Sequence, residues 1–408
     1  MLRLWTCRRR LRKIWWNYLG RNRGMEYVRL KDIGQIITGN TPPTSKPEYY
    51  GDYMPFIKAT DIPIGVKCTL VTEQSYSKLA AEKYKKSLVP KGSTCVVTIG
   101  SIGKKMTYAH TDLFVNQAIN AIVPKDSYDN EYIFYNVRCS VLPQLKKLDS
   151  GTTSGRENIS KTSFSSIRIP VIRDKNVQRR IGVILSTYDS LIENNTKRIR
   201  LLEKMAENLY KEWFVRFRFP GHEKVEMENG LPKGWTVEKV KDWCRVFTGR
   251  KDVNQTKEDG QYVFFSCSPN TFHSDEFIYD GKAILVAGNG SYTGRTRYFE
   301  GKFDLYQRTY AVVSNKEDDS FMFYLYLRFK FDFEPMHSGG TRGSAIPYIV
   351  MKDLTKYKFL YKEDIVEEYI KKVKPMFAEI DNLQQQNILL ARQRDLLLPR
   401  LMSGKLEV

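Results

Sequence analysis

The chain has 408 residues, 41% of them hydrophobic, and 66 Lys and Arg against 46 Asp and Glu give a formal net charge of +20. That length holds two ordinary domains with connectors and that apolar content gives each a core, which excludes a disordered or fibrous chain. The positive excess favours a polyanionic partner, while six scattered cysteines without a C-x-x-C spacing and four scattered histidines indicate neither a disulfide framework nor a zinc site.

Residues 1–24 carry eight basic residues and no acid, and lack an apolar run long enough for a signal peptide or a membrane span. A cytoplasmic protein is therefore expected. Met25 opens a sequence of different character, so the extension is read as a misassigned or disordered start, with a basic nucleic-acid arm or an interfacial helix as alternatives.

From Met25 the chain says the same thing twice. Residues 25–172 form a β-rich region in which KDIGQIITGN (Lys31 to Asn40) precedes a glycine hairpin, VVTIGSIGKK (Val96 to Lys105), and short apolar runs such as STCVVTIG and NQAINAIVP read as strands of a mixed or antiparallel sheet. A helix is predicted within Asn130 to Leu148, and a polar Gly-rich loop (Ser150 to Ser160) closes the region. Residues 173–222 follow as a long helix and linker. The region 223–362 repeats the order with KDWCRVFTGR (Lys241 to Arg250), LVAGNGSYTGR (Leu285 to Arg295), a helix within Asp319 to Phe331 and a closing loop, Ser338 to Pro347. Residues 363–408 form the second long helix. The offset between copies is 210 residues at Lys31 and Lys241 and 192 at Asp189 and Asp381, so the loops differ in length while the order is kept. The class is α+β.

The helices carry apolar residues at steps of three and four, which include Ile181, Ile184, Leu185, Tyr188, Leu191, Ile192, Ile199, Leu202, Met205 and Leu209 in the first, and Val373, Phe377, Ile380, Leu383, Leu390, Leu397 and Leu401 in the second. Each stripe is too long for one small sheet, so the natural partner is the other helix, in a short coiled coil; packing of each helix on its own domain is the alternative. Asn195 and Asn387 occupy corresponding seam positions, where a polar side chain fixes register at a cost in stability. With antiparallel helices these two side chains are expected to lie near an approximate two-fold axis. Trp213, Phe214 and Phe217, grouped after the first helix, either dock a partner subunit or seal that helix against the second domain.

Several pieces in this order resemble the specificity subunit of type I DNA restriction-modification systems: EYYGDYMPFIKATDI (Glu48 to Ile62), VNQAINAIV (Val115 to Val123), QRRIGVILSTYDSLIENN (Gln178 to Asn195), LYKEWFVRFRFPGH (Leu209 to His222), GWTVEKVKDW (Gly234 to Trp243) and LLLPRLMSGKLEV (Leu396 to Val408). The resemblance covers essentially all of 25–408. It implies two target-recognition domains of mixed α/β type, separated by two long helices in an antiparallel coiled coil with approximate internal two-fold symmetry. It also implies double-stranded DNA as ligand, each domain reading half of a split sequence, and docking of two methyltransferase subunits and of endonuclease/translocase subunits. No catalysis and no cofactor are expected on this chain; S-adenosylmethionine, ATP and Mg are expected on the partners. The residues agree, since no Walker A, N-P-P-Y or D-P-P-Y element or acid-base cluster is present in the sequence, and the lone G-x-G at Gly288 to Gly290 reads as a tight turn. The competing classes are a non-specific or architectural DNA-binding scaffold, with steep salt dependence and little sequence preference, and a catalytic DNA methyltransferase.

Base-reading candidates come from the glycine hairpins and closing loops, because Arg, Asn and Gln make bidentate contacts to G or A while Lys meets phosphate. In the first domain they are Ser101, Lys104, Lys105, Asn116, Gln117, Thr152, Thr153, Ser154 and Arg156; in the second, Asn289, Ser291, Tyr292, Arg295, Arg297, Gln307, Arg308, Thr341 and Arg342. For each, a solvated loop side chain or a turn-stabilising group is the plain alternative. For Asn116 and Gln117 that alternative is a cap or bridge to the backbone.

A helix from about Asn176 to Phe214 spans about 57 Å at about 1.5 Å per residue, equivalent to roughly 17 base pairs of duplex. The helix is thus expected to act as a ruler between half-sites. Inserting about one helical turn near Asn195 should lengthen the unread spacer and leave both half-site sequences unchanged, as read by methylation mapping; altered half-sites would contradict the ruler.

Overall fold

The computed structural model of the protein describes residues 24–148, 158–257, 259–337 and 348–408. The chain forms two compact units, one containing residues up to Thr196 together with Gln384–Val408, the other Lys197–Leu383.

In the first unit β1 (Met25–Arg29) pairs antiparallel with β10 (Arg168–Ile172). Between them lie β2 (Gly34–Thr38), β3 (Tyr50–Gly51), β4 (Met54–Ile57), β5 (Gln74–Tyr76), β6 (Thr94–Val97), β7 (Met106–Tyr108), β8 (Phe114–Val115) and β9 (Ile119–Pro124). They form two four-stranded sheets, ordered β2-β9-β6-β7 and β3-β5-β4-β8. The second sheet is mixed, with β4 and β8 parallel and Phe56 opposite Phe114. Strands β6 and β9, each with four successive buried residues, are the two inner strands of the first sheet. A helix at Asn130–Ser140, capped by the Asp129 carboxylate on the Tyr132 amide, brings Tyr132, Ile133, Phe134 and Tyr135 into the core.

The second unit holds β11 (Met227–Glu228), β12 (Leu231–Pro232), β13 (Thr236–Lys239), β14 (Cys244–Thr248), β15 (Tyr262–Phe265), β16 (Thr271–Ser274), β17 (Tyr279–Ala287), β18 (Thr296–Leu305), β19 (Thr309–Ser314) and β20 (Lys358–Tyr361). Its main sheet, β14-β19-β17-β18-β15-β16, repeats the order of the first unit's main sheet in its first four members. Because β18 runs on to Leu305 and pairs parallel with β15, two sheets of the first unit become one sheet of six strands here. The counterpart of the β1–β10 pair is β13–β20, also antiparallel. Each such pair leads into a long helix, Lys175–Tyr210 after β10 and Glu363–Met402 after β20.

In the first unit Ile181 and Leu185 of one helix, with Leu398, Leu401 and Met402 of the other, join the core of the Asn130–Ser140 helix and β10. In the second unit Ala206, Tyr210, Val366, Tyr369 and Val373 join Tyr324, Phe329 and Phe359. The apolar stripe is therefore shared between the partner helix and the adjoining β-rich region, where the sequence suggested one or the other. Trp213 and Phe214, 4% and 2% exposed, pack with Trp235, Tyr324 and Tyr369, so within this unit they seal the helix end.

The helices are antiparallel in both units. In the first, Asn195 Nδ2 reaches Gln386 Oε1 at 3.4 Å and Asp189 pairs with Arg394; in the second, Arg198 pairs with Glu379 at 2.8 Å and the Tyr369 hydroxyl donates to the Ala206 carbonyl at 3.2 Å. Ile380 and Leu383 are buried seam residues, as is Asn195, and Ile184, Tyr188, Ile199, Leu202, Phe377, Asn387, Leu390 and Leu397 are half-buried. Leu191, expected in the seam, is 45% exposed. It lies beyond the edge of the buried face, whereas two charged side chains outside the apolar stripe, Asp189 and Arg394, are buried there. Asn195 and Asn387 face each other's helix by reciprocal contacts, each amide pointing to the neighbour of the other, with Asn387 Nδ2 at 3.5 Å from Thr196 Oγ1.

Asp189 and Arg394 side chains are 5% and 3% exposed, and the Tyr135 hydroxyl also donates to Asp189. Burial and the adjacent Asp189 charge push the Tyr135 phenol far above its usual range, so it remains a proton donor. Arg394 also bonds Asp395 at 3.0 Å, and Arg138 reaches the same carboxylate at 3.3 Å. Among the described residues no helix is long and apolar enough to cross a membrane. Arg394→Met, which strands a buried carboxylate, should cost roughly 3–5 kcal/mol. Asp189→Leu combined with Arg394→Met should cost less than the two single changes summed, as measured by urea unfolding; additive losses would show that the pair is not coupled.

Candidate nucleic-acid interface

In each unit a glycine after the first sheet strand lets two strands meet closely. A Cβ on Gly39 would lie 1.9 Å from the Val115 carbonyl oxygen, and one on Gly249 would lie 1.8 Å from that of Leu305. No side chain fits either place, which accounts physically for the repeated T-G-N and T-G-R. The approach aligns the next residues: Asn40 donates its amide to Val115 at 3.0 Å, and the Gln307 amide donates to Lys251 at 3.0 Å. Thus Asn40 and Thr41 lie beside Asn116 and Gln117 in one unit, and Lys251 and Asp252 beside Gln307 and Arg308 in the other.

The glycine hairpins form as the sequence predicts, β6 with β7 and β17 with β18. Gly100 and Gly103 turn one at φ +86° and +73°; Gly290 and Gly294 turn the other at +82° and +85°. Asn120, buried, accepts from the Thr38 hydroxyl at 2.6 Å and donates to Thr98 Oγ1 at 2.8 Å, which locks the hairpin base to β2 and β9. The chain just beyond each closing loop returns to that base. Ile159 donates to the Thr98 carbonyl at 2.9 Å and Ile349 to that of Gly288 at 3.0 Å, while Ile99 bridges Asn158 and Asn289 bridges Tyr348. Hairpin, N-Q or Q-R turn and loop end therefore meet in each unit. The positions Asn40, Thr41 and Asn158 were not among the sequence candidates, although Asn40 ends the repeated segment KDIGQIITGN and Asn158 lies in the closing loop Ser150 to Ser160.

Within the first unit Ser101 and Lys104 are exposed, whereas Lys105 donates to the Ala59 carbonyl at 3.0 Å. Gln117 is exposed and accepts from the Thr41 hydroxyl. Asn116 is half-buried, its amide on the Ile57 carbonyl at 3.0 Å and its side-chain oxygen buried without a partner among the described residues. Within the second unit Ser291, Tyr292, Gln307 and Arg308 are exposed, and the Arg295 guanidinium lies 5.6 Å from the Tyr292 ring centre. Gln307 is tethered to Asp252 at 3.2 Å. Arg297 turns inward, donating to the Ser268 carbonyl and lying 5.7 Å from the Phe265 ring centre; burial lowers its pKa. Arg297 in this position supports the loop. Thr152, Thr153, Ser154, Arg156, Thr341 and Arg342 lie outside the described residues. Among the described residues no group of three or more His, Cys, Asp or Glu side chains is placed to hold a metal ion.

The model of the type I restriction modification DNA specificity domain matches residues 22–204 and 232–361. The chain is 27% identical to the type I restriction enzyme MjaIX specificity subunit of Methanocaldococcus jannaschii over 93% of each protein. It is 32% identical to the HindI specificity subunit of Haemophilus influenzae over 44% of this chain and 39% of that protein. Its fold is similar to the crystal structure of a type I restriction-modification S subunit from M. genitalium, with a TM-score of 0.59 and 17% identity over 93% of this chain and 96% of that one.

Forcing a methyl group against the Val115 carbonyl, Gly39→Ala should cost roughly 1–3 kcal/mol and speed amide hydrogen exchange around Asn116 and Ile119 while leaving the second unit's turn protected. Gly249→Ala should do the converse at Gln307. Unchanged exchange at the altered turn would show that the close approach does not position it.

Proposed function

Since the chain belongs to the family of type I restriction-modification DNA specificity subunits, we propose that it reads a bipartite duplex sequence, one half with each unit, and docks methyltransferase and endonuclease subunits without catalysing a reaction itself. The observation that carries this reading is the twice-built surface. Two units of one strand order each converge a glycine hairpin, a polar turn and the end of a closing loop, yet fill those places with different side chains: Asn116 and Gln117 in one, Gln307 and Arg308 in the other. Common framework with unlike polar contents suits two different half-sites, since base edges are distinguished by donor and acceptor pattern. A charge-only scaffold has no need of unlike contents.

The chemistry falls to the partners on this reading. S-adenosylmethionine belongs to two methyltransferase subunits, and ATP with Mg to the endonuclease/translocase subunits, all working in the cytoplasm. The chain supplies the address.

Single-molecule methylation mapping tests this in a methylation-free host expressing the chain with its neighbouring methyltransferase subunit, and each alone. A split motif methylated on both strands only when both are present is expected. Methylation by the chain alone would make it an enzyme, and methylation by the partner regardless of the chain would remove the addressing role.

A further inference from the structure

The first unit carries a lysine-rich edge outside the residues considered so far. The segment after β5 forms a helix, Lys78–Lys83, followed by a helical turn, Lys85–Ser87; Lys83, Lys85 and Lys86 are exposed. The segment is firmly held. Ser77 accepts from the Ala80 amide at 3.3 Å and donates to the Glu48 carbonyl at 2.7 Å, and Tyr76, fully buried, stacks on Phe114 with ring centres 4.5 Å apart. Lys83 Nζ donates to the Tyr49 hydroxyl at 2.6 Å and lies 4.6 Å from that ring's centre. Lys46 Nζ lies 5.8 Å from the same centre, so two ammonium groups crowd one aromatic ring.

Glu48 and Glu82 are the nearby acids, against Lys46, Lys83, Lys85 and Lys86, and the edge stays positive. Among the described residues none of these lysines is in an ion pair, unlike Lys58 with Glu73 and Lys67 with Glu131 elsewhere in the unit. Concentrated like charge of this kind is relieved by a polyanion. The edge also adjoins the turn that meets Gln117. Asn40 and residues Glu82 to Ser87 line an open recess of about 690 Å³, with Asn40 Nδ2 on Ser87 Oγ at 2.8 Å, and the next residue, Thr41, bonds Gln117.

Among the described residues the second unit has no such edge in the corresponding segment. After β15 it forms strand β16, followed by Asp275 and Glu276, and two nearby lysines are neutralised: Lys257 pairs with Asp275, and Lys251 with Glu276 at 2.9 Å and Asp304 at 2.8 Å, leaving Lys302 over the Phe277 ring at 4.9 Å. We propose that Lys83, Lys85 and Lys86 grip the phosphodiester backbone of duplex DNA beside the first half-site, an electrostatic anchor that the corresponding segment of the second unit lacks. The inference rests on the DNA-reading function proposed above. Lysine ammonium groups serve as point charges for phosphate, setting position and affinity rather than sequence.

The test uses the full chain and a labelled mixed-sequence duplex of about 40 base pairs, with affinity followed by fluorescence anisotropy from about 50 to 200 mM salt. For Lys83→Gln, Lys85→Gln and Lys86→Gln together, the slope of log affinity against log salt should become shallower by about 2 to 3, at roughly 0.9 per lost phosphate contact, and affinity at the lowest salt should fall about tenfold or more. The corresponding Lys→Arg triple should keep the wild-type slope, and unchanged thermal melting of both triples excludes unfolding. A control of equal charge change in the second unit, Lys241→Gln with Lys257→Gln and Lys302→Gln, should move the slope by less than about 1. Equal slope changes in both Gln triples, or none in the first, would overturn the anchor while leaving the DNA-reading function intact. A wild-type chain that ignored the duplex, or preferred single-stranded RNA, would instead overturn that function and the anchor with it.

Discussion

Asp189 and Arg394 are almost wholly removed from water where two long helices meet in the first unit. A carboxylate is tolerable there because a guanidinium and the Tyr135 phenol both face it. This constraint ties three elements at one point: the helix leaving β10, the returning C-terminal helix, and the helix that backs the main sheet. A slide of either long helix by one turn would leave the charge uncompensated, whereas an all-leucine seam would permit several registers. Specificity of pairing is what the buried charge contributes.

The second unit reaches the same arrangement by other means. Its seam is aromatic, with Tyr210 and Phe214 each edge to face on Tyr369, Phe214 tilted against Tyr324, and Phe377 against Phe323 at 4.9 Å between ring centres. Arg328 donates to the Tyr210 hydroxyl and to Asp332, the latter at 2.8 Å. A charged staple in one copy and a ring cluster in the other show the two halves diverging in chemistry while keeping topology. Their sheets differ likewise, since prolonging β18 fuses what are two sheets in the first unit.

Loops that must present varied polar groups need a framework that does not vary with them. Gly39 and Gly249 provide it, because their contact with a neighbouring carbonyl leaves no latitude in how the strands meet. The hairpin base is held from below by Thr38, Thr98 and Asn120 in the first unit. The lysine edge of the first unit lies apart from that base, on the segment after β5.

Much of this was legible in the chain alone. Repetition of T-G after a strand, glycines spaced for a tight hairpin and apolar residues at steps of three and four are local signals, and they predicted the doubled α+β order, the hairpins and both long helices, since backbone conformation and amphipathicity act over a few residues. The family resemblance was equally a matter of order along the chain. Seam membership was legible only in part: Leu191 fits the period yet stands in water, while Asp189 and Arg394 look like surface charges until residues 205 positions apart are brought together. Nor did composition reveal that Lys251 is neutralised and Lys83 is not, or that Arg297 faces inward, because pairing of charges and direction of side chains depend on neighbours remote in sequence. Periodicity is a property of the chain, whereas burial and charge compensation are properties of contacts, and only the tertiary structure makes those.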